Sequence, residues 1–192
     1  MRHLLITGFQ PFGGQQVNPS WEAVKLLPET VGCWQITKLR IPVEYSNGAR
    51  LVLDAAERIQ PEAIISVGQA GGRSAVTPEV IGINLREASI ADNGERLCKG
   101  ELIDPEGPDG IFATLPVREM VTAICEKGIP AKLSYSAGAY VCNDVLYTLL
   151  RHFEGTGIQV GFIHVPFIPG QGEPNMALED IAAALAAAID AL

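Results

Sequence analysis

Thiol, imidazole and carboxylate are the side chains from which a nucleophilic relay is built, and this sequence sets one of each in a telling position. Cys142 follows the small-residue turn Ser136-Ala137-Gly138-Ala139-Tyr140-Val141 and stands at the start of a helical pattern. Unpaired N–H groups and the helix dipole at such a start stabilise a thiolate, and the same amides can hold an oxyanion. Cys33, Cys98 and Cys125 lack this context and read as small buried apolar residues. Among three histidines, His3 lies where the first strand begins and His152 in the last turn of a helix, where an imidazolium merely complements the dipole. His164 instead interrupts the apolar run Val160–Val165 near its carboxyl end. A lone histidine in such a run is ordinarily a satisfied core residue, but its place on the sheet edge shared with Cys142 favours a base. Glu79 opens an otherwise apolar strand and is the candidate to orient that imidazole from partial burial, with Asp92 and Asp144 as weaker candidates. Cysteine, histidine and glutamate are also ordinary zinc ligands, so a metal site is the rival reading of the same trio.

These residues need a scaffold that brings distant segments together, and the hydrophobic pattern supplies one. Leu4–Thr7, Gln35–Ile41, Ala63–Val67, Val80–Leu85, Ala131–Tyr135 and Gln159–Val165 read as strands, several of them apolar on both faces. Helical patterns alternate with them over Pro19–Leu27, Ser46–Ile59, Pro116–Lys127, Cys142–Phe153 and Asn175–Leu192. This alternation predicts an α/β fold around a largely parallel sheet. The turn-rich stretch Glu87–Leu115 breaks the rhythm and predicts an irregular excursion containing a hairpin. No repeat or linker divides residues 1–192, so one domain is expected. In an open parallel sheet, ligands bind beyond the carboxyl ends of the strands. That edge would gather Gly8–Gly14, Gly68–Arg73, the turn before Cys142, and His164. Gly68–Arg73 lacks the spacing of a phosphate loop, and no dinucleotide fingerprint follows the first strand.

Composition narrows the partners. Fourteen basic against 22 acidic side chains leave a net charge of −8, unsuited to phosphate backbones or anionic lipid. With 47% hydrophobic residues the chain can form a sizeable core. No run is long enough to cross a membrane or to act as a secretion signal. Four cysteines without pair-like spacing suit a reducing, cytoplasmic setting.

The chain also resembles the pyrrolidone-carboxylate peptidases (pyroglutamyl peptidase type I) from end to end. Thr7-Gly8-Phe9-Gln10-Pro11-Phe12-Gly13-Gly14 with Asn18-Pro19-Ser20 is similar to that family's N-terminal signature. Gly68–Arg73, Thr77-Pro78-Glu79 and Asn84 resemble the segment around its glutamate, Ser134–Asn143 the segment of its nucleophile, and Phe162–Pro166 that of its histidine. The resemblance implies a three-layer sandwich, a twisted and mostly parallel sheet with helices on both faces. It implies a Cys142–His164–Glu79 triad, no cofactor or metal, a homotetramer, and peptides beginning with pyroglutamate as substrates. It further implies that Phe9, Phe12, Ile90, Tyr140 and Val141 line a lactam pocket, with the backbone of Gln69 bonding the ring, and it gives Asp92 no clear role. The chain departs from the family pattern at Val80, where a basic residue is usual, and at Gly82, where alanine is usual. The alternative to a peptidase is a non-enzymatic or nucleoside- or phosphate-binding α/β domain.

Overall fold

The computed structural model describes residues Met1–Leu192. In chain order the elements are β1 (Arg2–Phe9), α1 (Pro19–Leu26), β2 (Thr30–Val31), β3 (Trp34–Ile41), α2 (Asn47–Ile59), β4 (Ala63–Gln69), β5 (Thr77–Pro78), β6 (Ile81–Ile83), β7 (Arg86–Glu87), β8 (Lys99–Glu101), β9 (Gly110–Phe112), α3 (Val117–Glu126), α4 (Val141–His152), β10 (Gln159–Val165) and α5 (Leu178–Asp190). The main sheet runs β2-β3-β1-β4-β10-β5. Its four central strands are parallel, and the short strands β2 and β5 cap the two edges antiparallel.

Period-two alternation sends successive side chains to opposite layers. Leu4, Ile6, Ala63, Ile65, Val67, Ile163 and Val165 face a core that also contains α1, α3 and α5 side chains. Leu5, Ile64, Val160 and Phe162 face the other core, with α2 and α4. His164 follows Phe162 by two residues, so parity alone turns it toward α4, the helix that starts with the nucleophile candidate. The chain leaves β1 toward β3 on one side and later reaches β4 on the other. The order therefore switches between β1 and β4, where an open sheet forms its crevice.

Local chemistry sets the boundaries near that crevice. Asn18 caps α1 by accepting from the Ser20 amide at 3.1 Å, and Pro19 opens the helix. The Asn18 amide donates to the Gln10 carbonyl at 3.0 Å, while Ser20 Oγ accepts from the Phe9 amide at 3.0 Å. The loop after β1 is thus tied to the start of α1.

Two expected strands take a different form. Val80–Leu85 is not one strand: Thr77–Pro78 pairs with β10, and Ile81–Ile83 leaves to pair with Gly110–Phe112. Ala131–Tyr135 runs parallel to residues 76–80 but forms only the bridges Val76–Ala131 and Glu79–Ser134. The bonds Val76 N to Pro130 O, Lys132 N to Val76 O, Ser134 N to Pro78 O and Val80 N to Ser134 O outline a regular parallel ladder. Its missing rung falls at Pro78, which has no N–H to give. The excursion expected over Glu87–Leu115 does contain a hairpin-like pairing, β7 with β8. Of the three cysteines expected to be buried, only Cys98 is. Cys33 sits in the turn between β2 and β3 and Cys125 in the last turn of α3, and both are exposed. No helix is long and apolar enough to cross a membrane.

Candidate active site

A cavity of about 430 Å³ opens at the switch between β1 and β4. Phe9 and Phe12 enter its wall from the loop after β1, and Gln69, Ala70, Gly71 and Arg73 from the turn after β4. The turn before α4 supplies Ser136, Ala137, Gly138 and Tyr140, and Asn18 and Val43 complete the wall around Cys142 and His164.

Cys142 is the second residue of α4, whose cap residue Tyr140 makes no side-chain hydrogen bond to the first turn. The helix start therefore keeps its amides free for a ligand beside the sulfur. Asn143 anchors this turn. Fully buried, it accepts from the Ile83 amide at 2.9 Å and donates to the carbonyls of Ile83 at 2.8 Å and Leu85 at 3.0 Å. Asp144, equally buried, accepts from the Ser46 amide at 2.7 Å and pairs with Arg86 at 2.6 Å. Space for the sulfur comes from Gly68, which sits opposite His164 in the sheet. A Cβ there would lie 2.9 Å from Cys142 Sγ and 2.7 Å from the Phe162 ring.

His164 is almost entirely buried, and its Nδ1 lies 2.7 Å from Glu79 Oε1. The carboxylate can only accept, so Nδ1 carries the proton and Nε2 is left as the acceptor. Glu79 is fully buried rather than partly so, because its amide bonds to the Phe162 carbonyl and fixes it against β10 at 2.9 Å. Oε1 also accepts from Arg73 Nη1 at 2.7 Å. Burial pushes the Glu79 carboxyl up, but hydrogen bonds with His164, Ser134 and Arg73 outweigh it and hold the group below its ordinary value. Burial pushes His164 down from its ordinary value, against the pull of Glu79. Burial also pushes the Cys142 thiol up to about 12, with Glu79 adding to the rise and Arg73 opposing it. Both shifts favour the neutral thiol and the neutral imidazole over the preformed thiolate that a helix start alone suggests.

Phe9, Phe12, Gln69 and Tyr140 therefore meet Cys142 and His164 at one cavity, with Glu79 directly behind the imidazole. Val141 and Ile90 are not among the lining residues. Val141 is fully buried in the core between the sheet, α2 and α4, since one residue of helix rotates it about 100° from its neighbour Cys142. Ile90 is 49% exposed on the excursion. The Tyr140 hydroxyl donates to the Ala91 carbonyl at 3.0 Å, which joins that excursion to the pocket wall. Asp92 shapes the same segment. Its carboxylate accepts from the Tyr45, Gly94 and Arg96 amides at 2.8, 2.9 and 2.8 Å. Arg73 and Asn143 escaped the sequence reading. The signals were a single cation closing a glycine-rich turn and an amide next to Cys142.

No group of three or more His, Cys, Asp or Glu side chains is arranged to hold a metal ion. The guanidinium on Glu79 would also repel a cation there. Arg73 in turn spends its donors on Thr77, Glu79 and Ser136 rather than offering them to a phosphate.

A doubly wound sheet that brings a helix-start thiol and an imidazole to one pocket, with a buried carboxylate behind the ring, carries the side chains that a cysteine-type hydrolase uses. Comparison with known proteins gives the family. Residues 2–192 match the family model described as pyroglutamyl peptidase. Pyrrolidone-carboxylate peptidase of Lactobacillus acidophilus is 45% identical, covering 98% of this chain and 99% of its own. The crystal structure of Bacillus amyloliquefaciens pyroglutamyl peptidase I is 41% identical with a TM-score of 0.96, covering 99% of this chain and 96% of that one. A mutant pyrrolidone carboxyl peptidase of Pyrococcus furiosus is 37% identical with a TM-score of 0.93, covering 98% and 97%. The chain belongs to the pyroglutamyl peptidase family: it is a hydrolase that removes N-terminal pyroglutamate from peptides.

Proposed function

We propose that this hydrolysis runs through Cys142, His164 and Glu79. The observation that carries the reading is the 2.7 Å bond between His164 Nδ1 and a buried Glu79, at a cavity that His164 lines together with Cys142 from the start of α4. Substrate binding brings the pyroglutamyl carbonyl carbon to Cys142. The thiol proton passes to His164 Nε2 as the S–C bond forms, and the free amides of α4 receive the oxyanion. Collapse breaks the C–N bond, and His164 returns its proton to the departing amine. Water then gives a proton to His164 and attacks the thioester, releasing pyroglutamate and restoring the thiol. Glu79 holds the tautomer and stabilises the imidazolium while it exists.

The pocket suits an uncharged lactam. Phe9, Phe12, Val43 and Tyr140 offer apolar walls to a flat ring that carries no ammonium group. Gln69 Oε1 is buried without a hydrogen-bond partner, which supports a lactam N–H as its donor beside the backbone contact that the resemblance implies. In this reading residues 1–192 act as one domain, with the homotetramer and cytoplasmic setting that the family resemblance implies. Cys142→Ala should lower release of a pyroglutamyl reporter amide by about 10⁴-fold or more. Near-normal turnover in that variant would refute the assignment.

A further inference from the structure

Arg73 closes the glycine-rich turn after β4, and its guanidinium swings back into the site. Nη1 donates to Thr77 Oγ1 at 2.6 Å and to Glu79 Oε1 at 2.7 Å, the oxygen already bonded to His164. Nη2 donates to the Ser136 carbonyl at 3.1 Å, in the turn that leads to Cys142. One side chain thus touches the carboxylate strand, the imidazole's partner atom and the nucleophile turn. The Glu79 side chain is fully buried while that of Arg73 is 27% exposed, so the cation lies between the carboxylate and solvent.

A buried carboxylate facing only an imidazole would draw a proton onto it, and a protonated His164 can no longer accept one from a thiol. The groups that face His164 are few. Glu79 and Arg73 are charged, Cys142 carries a thiol, and the opposite residues on the neighbouring strands are Gly68 and Thr77. We propose that Arg73 is a positioning residue: its guanidinium neutralises Glu79 so that His164 rests as an uncharged base, and its second amino group holds the nucleophile turn at Ser136. Arg73 also opposes protonation of His164 and favours ionisation of Cys142, in keeping with that role.

The proposal rests on the Cys142–His164–Glu79 reading, and its test separates the two. Arg73→Gln and Arg73→Lys are compared with the parent chain by kcat/KM from pH 5 to 9 and by NMR titration of His164. The His164 signal is identified by its loss in His164→Gln. In Arg73→Gln the acid limb and the His164 titration should both move up by about one pH unit, so that the activity ratio to parent falls further at pH 5 than at pH 8, approaching about 10-fold where the pH lies below both limbs. Arg73→Lys keeps the charge but not the planar fork. It should leave the acid limb in place and lower kcat more than it raises KM. A His164 titration unmoved in Arg73→Gln, with activity lost equally at every pH, would overturn the charge role. If Arg73→Gln does not fold, a shifted acid limb in Arg73→Lys overturns it as well. The NMR titration needs no turnover, so an active Cys142→Ala would refute the triad without touching the result for Arg73.

Discussion

Replacing Gly68 by alanine tests the architecture more sharply than removing a catalytic group. The new Cβ would stand 2.9 Å from Cys142 Sγ and 2.7 and 2.9 Å from two Phe162 ring atoms. Ordinary non-bonded contact begins near 3.5 Å, so sulfur and ring must each retreat by roughly 0.6–0.8 Å or the strand must bow. Phe162 has little room to yield, because it is fully buried and its ring lies 4.7 Å from the His164 ring and 6.2 Å from that of Phe9. Overpacking of this kind costs about 1–3 kcal/mol, which in a chain of this length lowers Tm by roughly 2–12 °C. A nucleophile displaced by that distance should lose about 10²-fold in kcat/KM. The assay pairs reporter-amide kinetics with a thermal melt and the rate of Cys142 alkylation. Parent-like kcat/KM together with a parent-like melt would show that Gly68 does not make room for the sulfur.

Four further outcomes follow from the same geometry. Stability should fall with acid in two stages, because both folded-state shifts are downward: the unfolded chain binds protons more readily at His164 below its ordinary 6.5, and at Glu79 below its ordinary 4.5. Thermal melts across pH 7.5 to 4 should show both losses, and His164→Gln should abolish the first. The acid limb of kcat/KM should likewise lie below pH 6.5. Asp92→Asn replaces one accepting oxygen with a donor against the Tyr45, Gly94 and Arg96 amides, so it should cost about 1–3 kcal/mol by denaturant titration and raise KM through the Ala91–Tyr140 contact. Arg86→Ala leaves the fully buried Asp144 without its partner, and a loss of about 3–5 kcal/mol is expected, reduced when Asp144→Asn is added.

Short apolar runs alternating with helical patterns made the sheet and its covering helices readable, and with them the sheet edge on which His164 lies. The cap Asn18, with Pro19 behind it, was equally plain. Pairing was less so, because Ala131–Tyr135 has the composition of a strand and only the missing N–H of Pro78 breaks its ladder. At the site, a turn followed by a helix marked Cys142 without help from any partner. Val141, which the resemblance alone put in the pocket, lies one residue back along the helix and points into the core. Arg73 was hidden for another reason. Its contacts to Thr77 and Glu79 depend on the turn folding back on itself, and the one to Ser136 crosses 63 positions of chain.

Asn143 has a consequence beyond anchoring its helix. Its three bonds reach Ile83 and Leu85, on the stretch that Glu79 leads into, so sulfur and carboxyl group ride on one clamped unit. The hairpin segment beyond Leu85 is tied to the same helix start, through Arg86 to Asp144 and through the Glu87 amide to the Ala139 carbonyl. A change in the length of that segment therefore bears on the seat of the sulfur as well as on the pocket wall.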